Sequence, residues 1–182
     1  MSAGPRRIGL IAAALVVVSV GIGARMLQQP ASSVAAAHVT TTVAPPLELP
    51  RAIGPGTLGL ADFKGKPVYL NFFASWCPPC NMEAPDLATL ARHYAPRGLV
   101  MLGVDEQESA VQALGFRNRY SLPYQIVLDA DGAAGKPYGA SALPVQALID
   151  RSGNLAWLHV GMVDPGEART AIEHALAQPA PR

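Results

Sequence analysis

The chain contains only two cysteines, and both stand in Trp76-Cys77-Pro78-Pro79-Cys80, between an apolar run and an amphipathic one. Upstream, Val68-Tyr69-Leu70-Asn71-Phe72-Phe73 has the continuous apolar, aromatic-rich character of a strand buried on both faces. Downstream, Met82, Leu87, Leu90 and Ala91 recur at helical spacing through Asn81 to Tyr94. Strand, turn and helix in that order place the cysteines at a helix N-terminus. The unpaired amides and dipole there stabilise a thiolate, lowering a thiol pKa from about 8.5 into the range ~3.5–7.5. Cys77 lies nearest that field and is expected to attack a disulfide. Cys80, one turn inward, is expected to resolve the mixed disulfide. Pro78 and Pro79 fit because first-turn positions need no N–H, and they stiffen the link between the thiols.

Two other uses of such a pair are open at this level. A structural zinc site takes four ligands, and no second cysteine pair or spaced histidine pair supplies the rest. A purely structural disulfide is chemically allowed outside the cytoplasm, but the loop it would close is too short to remove much chain entropy.

Alternation continues beyond the first helix. Leu99 to Val104 reads as a strand, Glu108 to Arg119 as a helix and Gln125 to Leu128 as a short strand ending in Asp129-Ala130-Asp131-Gly132. Such alternation implies parallel pairing. Val145 to Ile149 and Leu155 to Val160, joined by Asp150-Arg151-Ser152-Gly153-Asn154, read as an antiparallel hairpin covered by a last helix over Pro165 to Ala177. Thr57 to Phe63 is a lead-in strand or turn. The expected architecture is α/β: a central mixed β-sheet flanked by helices on both faces. Asp105-Glu106 and Glu108 read as the solvated start of the second helix. His38, His93, His159 and His174 share no spacing that suggests a common site.

The N-terminal part reads differently. Ile8 to Ala24 carries no charge and is preceded by Arg6-Arg7, so residues 1–27 are expected to be a membrane anchor with the N-terminus cytoplasmic, or else a cleaved signal. No small-x-small site follows closely, which favours the anchor. Residues 28–46, rich in Ala, Ser, Thr, Val and Pro, read as a flexible linker, leaving 47–182 as the folded domain. Both readings place that domain outside the cytoplasm. The 14 basic and 13 acidic residues nearly cancel, which excludes the basic footprint of a nucleic-acid binder.

With these motifs in order, the chain resembles the thioredoxin superfamily over most of Leu47 to Gln178. The likeness rests on Trp76-Cys77-x-x-Cys80, on Pro85 five residues after Cys80, and on Tyr138-Gly139-Ala140-Ser141-Ala142-Leu143-Pro144. The resemblance implies a thioredoxin-like fold in which Pro144 is a cis-proline facing Cys77, the Leu143 backbone pairs with a bound polypeptide, and Trp76 flanks the site. The export segment, the extra helix and strand before Tyr138, and Glu83 resemble the TlpA/ResA type of membrane-anchored reductase. That type is associated with cytochrome c maturation, takes extracytoplasmic protein thiols and disulfides as partners, and is recharged by a membrane electron donor. It needs no cofactor beyond the redox-active disulfide.

Glu83 lies three residues after Cys80, where a carboxyl can raise a thiol pKa and exchange protons with it. The alternative is a first-turn glutamate that merely complements the helix dipole. Two departures from the family pattern stand out. Asn71 replaces the buried aspartate of cytoplasmic thioredoxins, and Val145-Gln146 follows Pro144 where dedicated apocytochrome reductases carry an acidic residue. The expected activity is reduction of protein disulfides, with an oxidase, an isomerase or a copper metallochaperone as alternatives. The last would need a third ligand, for which only His159 is available.

Overall fold

The computed structural model describes residues 42–179. Six strands form one sheet in the order β1-β8-β7-β4-β5-β6. They are β1 (Thr42–Val43), β4 (Val68–Phe73), β5 (Val100–Glu106), β6 (Gln125–Asp129), β7 (Val145–Ile149) and β8 (Asn154–Val160). A separate antiparallel hairpin joins β2 (Glu48–Pro50) to β3 (Thr57–Gly59). The helices are α1 (Pro78–Tyr94), α2 (Ala110–Arg119) and α3 (Pro165–Ala177).

The apolar run makes β4 the centre of the sheet. It pairs in parallel with β5 and antiparallel with β7, and all six of its residues are buried. Side chains alternate across a strand. Tyr69 and Phe73 therefore enter one core with α1, α2 and α3, while Val68, Leu70 and Phe72 enter a second core with Leu47, Leu58 and Tyr138. Rings lock each layer: Phe73 stacks on Phe116 of α2 at 4.5 Å between centroids, and Phe72 meets Tyr138 at 5.0 Å.

Helical segments flank both faces, but the α-helices flank only one. The path β4-α1-β5-α2-β6 moves across the sheet in one direction, and right-handed crossovers then put both helices on the same face. All three α-helices lie on that face. The other face is covered by the β2/β3 hairpin and by short 3-10 turns at Leu60–Phe63 and Lys136–Tyr138.

Two of the boundaries that differ from the sequence reading change what is buried. Composition assigns residues 42–46 to the end of the linker, yet Thr42 and Val43 pair with Leu155 and Asn154 on the sheet edge, and Ala44 is buried. Small residues that carry no period of their own can still add an edge strand when a neighbour offers the ladder. β5 also runs two residues past the expected end and takes Asp105 and Glu106 with it. Those residues are not a solvated helix start. Asp105 is 0% exposed and Glu106 4%.

Among the described residues no helix is long and apolar enough to cross a membrane. The segment Ile8 to Ala24 lies outside them.

Candidate active site around the Cys77–Cys80 disulfide

β4 ends at Phe73, and the chain turns through Ala74-Ser75-Trp76 into α1. Cys77 is the N-cap of that helix, with Pro78 and Pro79 in its first positions. Cys77 and Cys80 are joined as a disulfide, their Cα atoms 5.3 Å apart. The Cys80 backbone N–H points at Cys77 Sγ at 3.3 Å, so the amide field expected at this helix end acts on the sulfur itself. Both residues are buried, Cys77 at 3% and Cys80 at 1% exposure. Position on the helix, rather than depth, is what separates them.

The turn is braced from α2 and its flanks. Glu108 accepts hydrogen bonds from both the backbone N–H and the hydroxyl of Ser75. Asn81 donates to the carbonyls of Cys77 and Ser75 at 2.7 and 2.9 Å, and Tyr120 donates to Asn81 Oδ1 at 2.7 Å. Pro85 sits inside α1 without interrupting it.

Pairing of Phe72 with Val145 brings the start of β7, and with it Leu143-Pro144, to the same end of the sheet as the cysteines. The Leu143–Pro144 peptide bond is cis. Leu143, Ala140 and Ser141 form one wall of a cleft of about 260 Å³, whose other wall is Trp76-Cys77-Pro78-Pro79. Trp76 stands out at the rim, 66% exposed. A larger cavity, about 420 Å³, lies at the other end of β4 beside Val68 and Ile149 and contains neither cysteine.

Glu83 is not a first-turn residue but one turn further along α1, and it is 3% exposed. Gln146 Nε2 donates to one of its oxygens at 2.7 Å and the Val163 backbone N–H to the other at 3.3 Å. Burial pushes its carboxyl up to about 7, against the opposing pull of these two donors. Glu83 is therefore not the first-turn glutamate that the dipole-only reading assumed. Asn71, paired with Gln146 across β4 and β7, is buried and bonds Tyr124.

Sequence reasoning missed three buried carboxyls at this end of the sheet, Asp105, Glu106 and Asp129. Burial, with Glu108 as the next cause, pushes Asp105 up to about 8. Burial, with Asp129 as the next cause, pushes Glu106 up to about 8. Glu106 and Asp129 are register partners on β5 and β6, and Glu106 also lines the cleft beside Cys77. The available signal was position: the carboxyl ends of parallel strands are where sites of α/β folds gather. Gln146, by sequence only a departure from the family pattern, is the partner of Glu83.

The described histidines do not converge. His93 lies edge-on to Tyr94, while His159 contacts Glu167 through Nδ1 and the Met162 carbonyl through Nε2. His38 is outside the described residues. No group of three or more His, Cys, Asp or Glu among the described residues is arranged to hold a metal.

The Redoxin family model matches residues 39–176, which takes in the whole sheet, the cleft and the three helices but for the last residue of α3. The chain belongs to the Redoxin family. Among similar proteins is the thiol-disulfide oxidoreductase ResA of Bacillus thuringiensis subsp. konkukian, 36% identical over 96 residues, which cover 53% of this chain and 56% of that one. The thiol:disulfide interchange protein DsbE of Pseudomonas aeruginosa is 35% identical over 122 residues, 66% of each chain. The chain thus spans little more than half the length of ResA. A crystal structure assigned as DsbE from Chlorobium tepidum superposes with a TM-score of 0.69 at 29% identity, over 75% of this chain and 97% of that one. Within the Redoxin family these likenesses place the chain in the TlpA/ResA-like branch of the thioredoxin superfamily, with the mixed sheet expected from its sequence.

Proposed function

We propose that this chain is an extracytoplasmic thiol-disulfide oxidoreductase that reduces protein disulfides. The observation that carries the reading is a disulfide capping a helix N-terminus at the edge of an open cleft, with the Leu143-Pro144 loop opposite. In the reduced state Cys77 attacks a substrate disulfide, and Cys80 then attacks Cys77 Sγ and releases the substrate. Two electrons pass from the dithiol to the substrate, and no dissociable cofactor is required. Glu83, on the same helix and near neutrality in its proton affinity, takes the Cys80 proton. Trp76 and Leu143 flank the bound polypeptide, and Pro144 closes the site beside them.

A membrane electron donor recharges the pair, and the segment before residue 28 tethers the domain to the outer face. Cytochrome c maturation is a candidate task, since ResA-type and DsbE-type relatives are the similar proteins. Val145-Gln146 in place of an acidic residue weighs towards other disulfides. Against the copper reading, both ring nitrogens of His159 already face partners, and no group of three or more His, Cys, Asp or Glu among the described residues is arranged to hold a metal.

The test is the reduction potential of Cys77/Cys80, measured against a thiol buffer together with turnover of a protein disulfide. A reductase is expected below roughly −200 mV, whereas a value near about −120 mV would make the chain an oxidase. Alkaline phosphatase fused after Arg182 is expected to be active. An inactive fusion would overturn the topology.

A further inference from the structure

A second carboxyl lines the cleft beside Cys77, on the sheet face opposite Glu83. Glu106 continues the alternation of Leu102 and Val104, whose side chains lie in the core with the β2/β3 hairpin. Gln146, which holds Glu83, alternates instead with Leu148 on the helical face. Glu106 forms part of the lining of the cleft that Cys77 and Trp76 share with Leu143. Among the described residues no N–H or hydroxyl reaches its buried Oε1. Its neighbour Asp129 is committed through Oδ2 to the Gly135 N–H, so the two carboxyls can bond each other only through a proton. A buried carboxyl that carries a proton at the edge of a thiol-exchange cleft is placed to give that proton away.

We propose that Glu106 is a catalytic acid that protonates the substrate sulfur departing when Cys77 attacks a disulfide bound in this cleft. The proposal rests on the oxidoreductase reading. In the step, Cys77 thiolate forms an S–S bond with one substrate sulfur and the substrate S–S bond breaks. The bonding pair leaves on the second sulfur, which takes the Glu106 proton and departs as a thiol. Cys80 then displaces the first substrate sulfur, completing the two-electron oxidation of the dithiol, and Glu106 regains a proton from water through the cleft. Glu83 serves the enzyme's own resolving thiol, so the two carboxyls divide the proton transfers between them.

The charges facing Glu106 keep it loaded. Asp129 from β6 and Asp131 from the following turn oppose its ionisation, after burial itself. The Gly135 stretch presents backbone, and the redox turn presents Cys77.

The experiment mixes the pre-reduced 182-residue chain, in detergent, with two disulfides of different leaving thiols. Dithionitrobenzoate releases an acidic thiol that leaves without a proton, whereas hydroxyethyl disulfide releases a basic one that needs it. Glu106→Gln is expected to slow hydroxyethyl disulfide ~10- to 100-fold and to leave dithionitrobenzoate within about twofold. Asp129→Asn keeps an oxygen for the Gly135 N–H and turns an amide towards Glu106, which stabilises its carboxylate. The alkaline loss of the hydroxyethyl disulfide rate should then move to lower pH. Equal slowing of both substrates, no slowing of either, or an unmoved alkaline limb in Asp129→Asn would overturn the assignment. A wild-type chain inert to both disulfides would overturn the oxidoreductase reading with it.

Discussion

Gln146 holds Glu83 across the gap between β7 and α1, amide nitrogen to carboxyl oxygen at 2.7 Å, with both residues buried. The bond explains how a carboxyl three residues beyond Cys80 on α1 is kept inside the core with no ionic partner among the described residues. One donor from Gln146 and one from Val163 offset part of its desolvation, and the remainder appears as a proton affinity near neutrality. Gln146 thus fixes where the Glu83 carboxyl lies.

Glu83→Gln follows directly. Above about pH 7 the wild-type carboxyl is ionised and raises the pKa of a thiol close to it; below that it is neutral and does not. The amide removes this dependence. The resolving thiol should titrate lower in the variant, the rate inflection near pH 7 should vanish, and turnover should fall by roughly 10-fold or more. Thiolate absorbance titration of the reduced protein checks it. An unchanged curve with unchanged turnover would return Glu83 to a structural role.

Stability should fall as pH rises through neutrality. Glu83, Asp105 and Glu106 are all raised in the folded state, to about 7, 8 and 8. Their contribution is complete below the unfolded values near about 4 and is lost as pH climbs through the folded ones, with on the order of 1.4 kcal/mol at stake for each tenfold gain in proton affinity on folding. Glu173 acts in the opposite sense. Its hydrogen bond to Arg97 holds it down to about 2, so its contribution is present above its unfolded value and lost on acidification. The urea midpoint is therefore expected to peak near pH ~4–5 and to decline towards pH ~8. A midpoint that rises from pH ~5 to ~8 would contradict these assignments.

What the sequence makes legible lies where periodicity and chemistry agree. Val68 to Phe73, Cys77 and Cys80 announce themselves, because a strand buried on both faces and a thiol pair on a stiffened turn each leave a local pattern. Leu143-Pro144 is reached only through resemblance, since nothing local distinguishes it from an ordinary turn. Asp105, Glu106 and Gln146 are not reached as site residues. Their polarity argues for solvent, and only pairing with β4, β6 and α1 partners reveals that they are inside. The single-sided placement of the α-helices is likewise a property of strand order, which no segment carries alone.

Phe116→Ala should unfold the redox face more readily than its distance in sequence suggests. The ring stacks on Phe73 and meets Tyr120 at 4.9 Å, and Tyr120 is the residue that holds Asn81 against the redox turn. Loss of the ring leaves a cavity between α2 and β4, costing ~3–5 kcal/mol. Urea denaturation measures that cost. A loss below about 1 kcal/mol would mean that packing of α2 on β4 is not what holds the face together.

The division of labour between the thiols is the sharpest test of the site. Both cysteines are almost wholly buried, so exposure offers little basis for choosing between them. Helix position does, because Cys77 Sγ receives the Cys80 N–H whereas Cys80 lies within the first turn and caps nothing. A thiolate is therefore stabilised at Cys77, beside the cleft lined by Trp76 and Leu143. Cys80→Ser keeps that nucleophile and removes the thiol that would expel a partner, so the mixed disulfide should accumulate and its partners can be identified on a gel run without reductant. Cys77→Ser should trap far less, since Cys80 has neither the cleft nor the amide. Equal trapping by the two variants would sink the assignment of roles. Trapping by neither would favour a structural disulfide over a catalytic one.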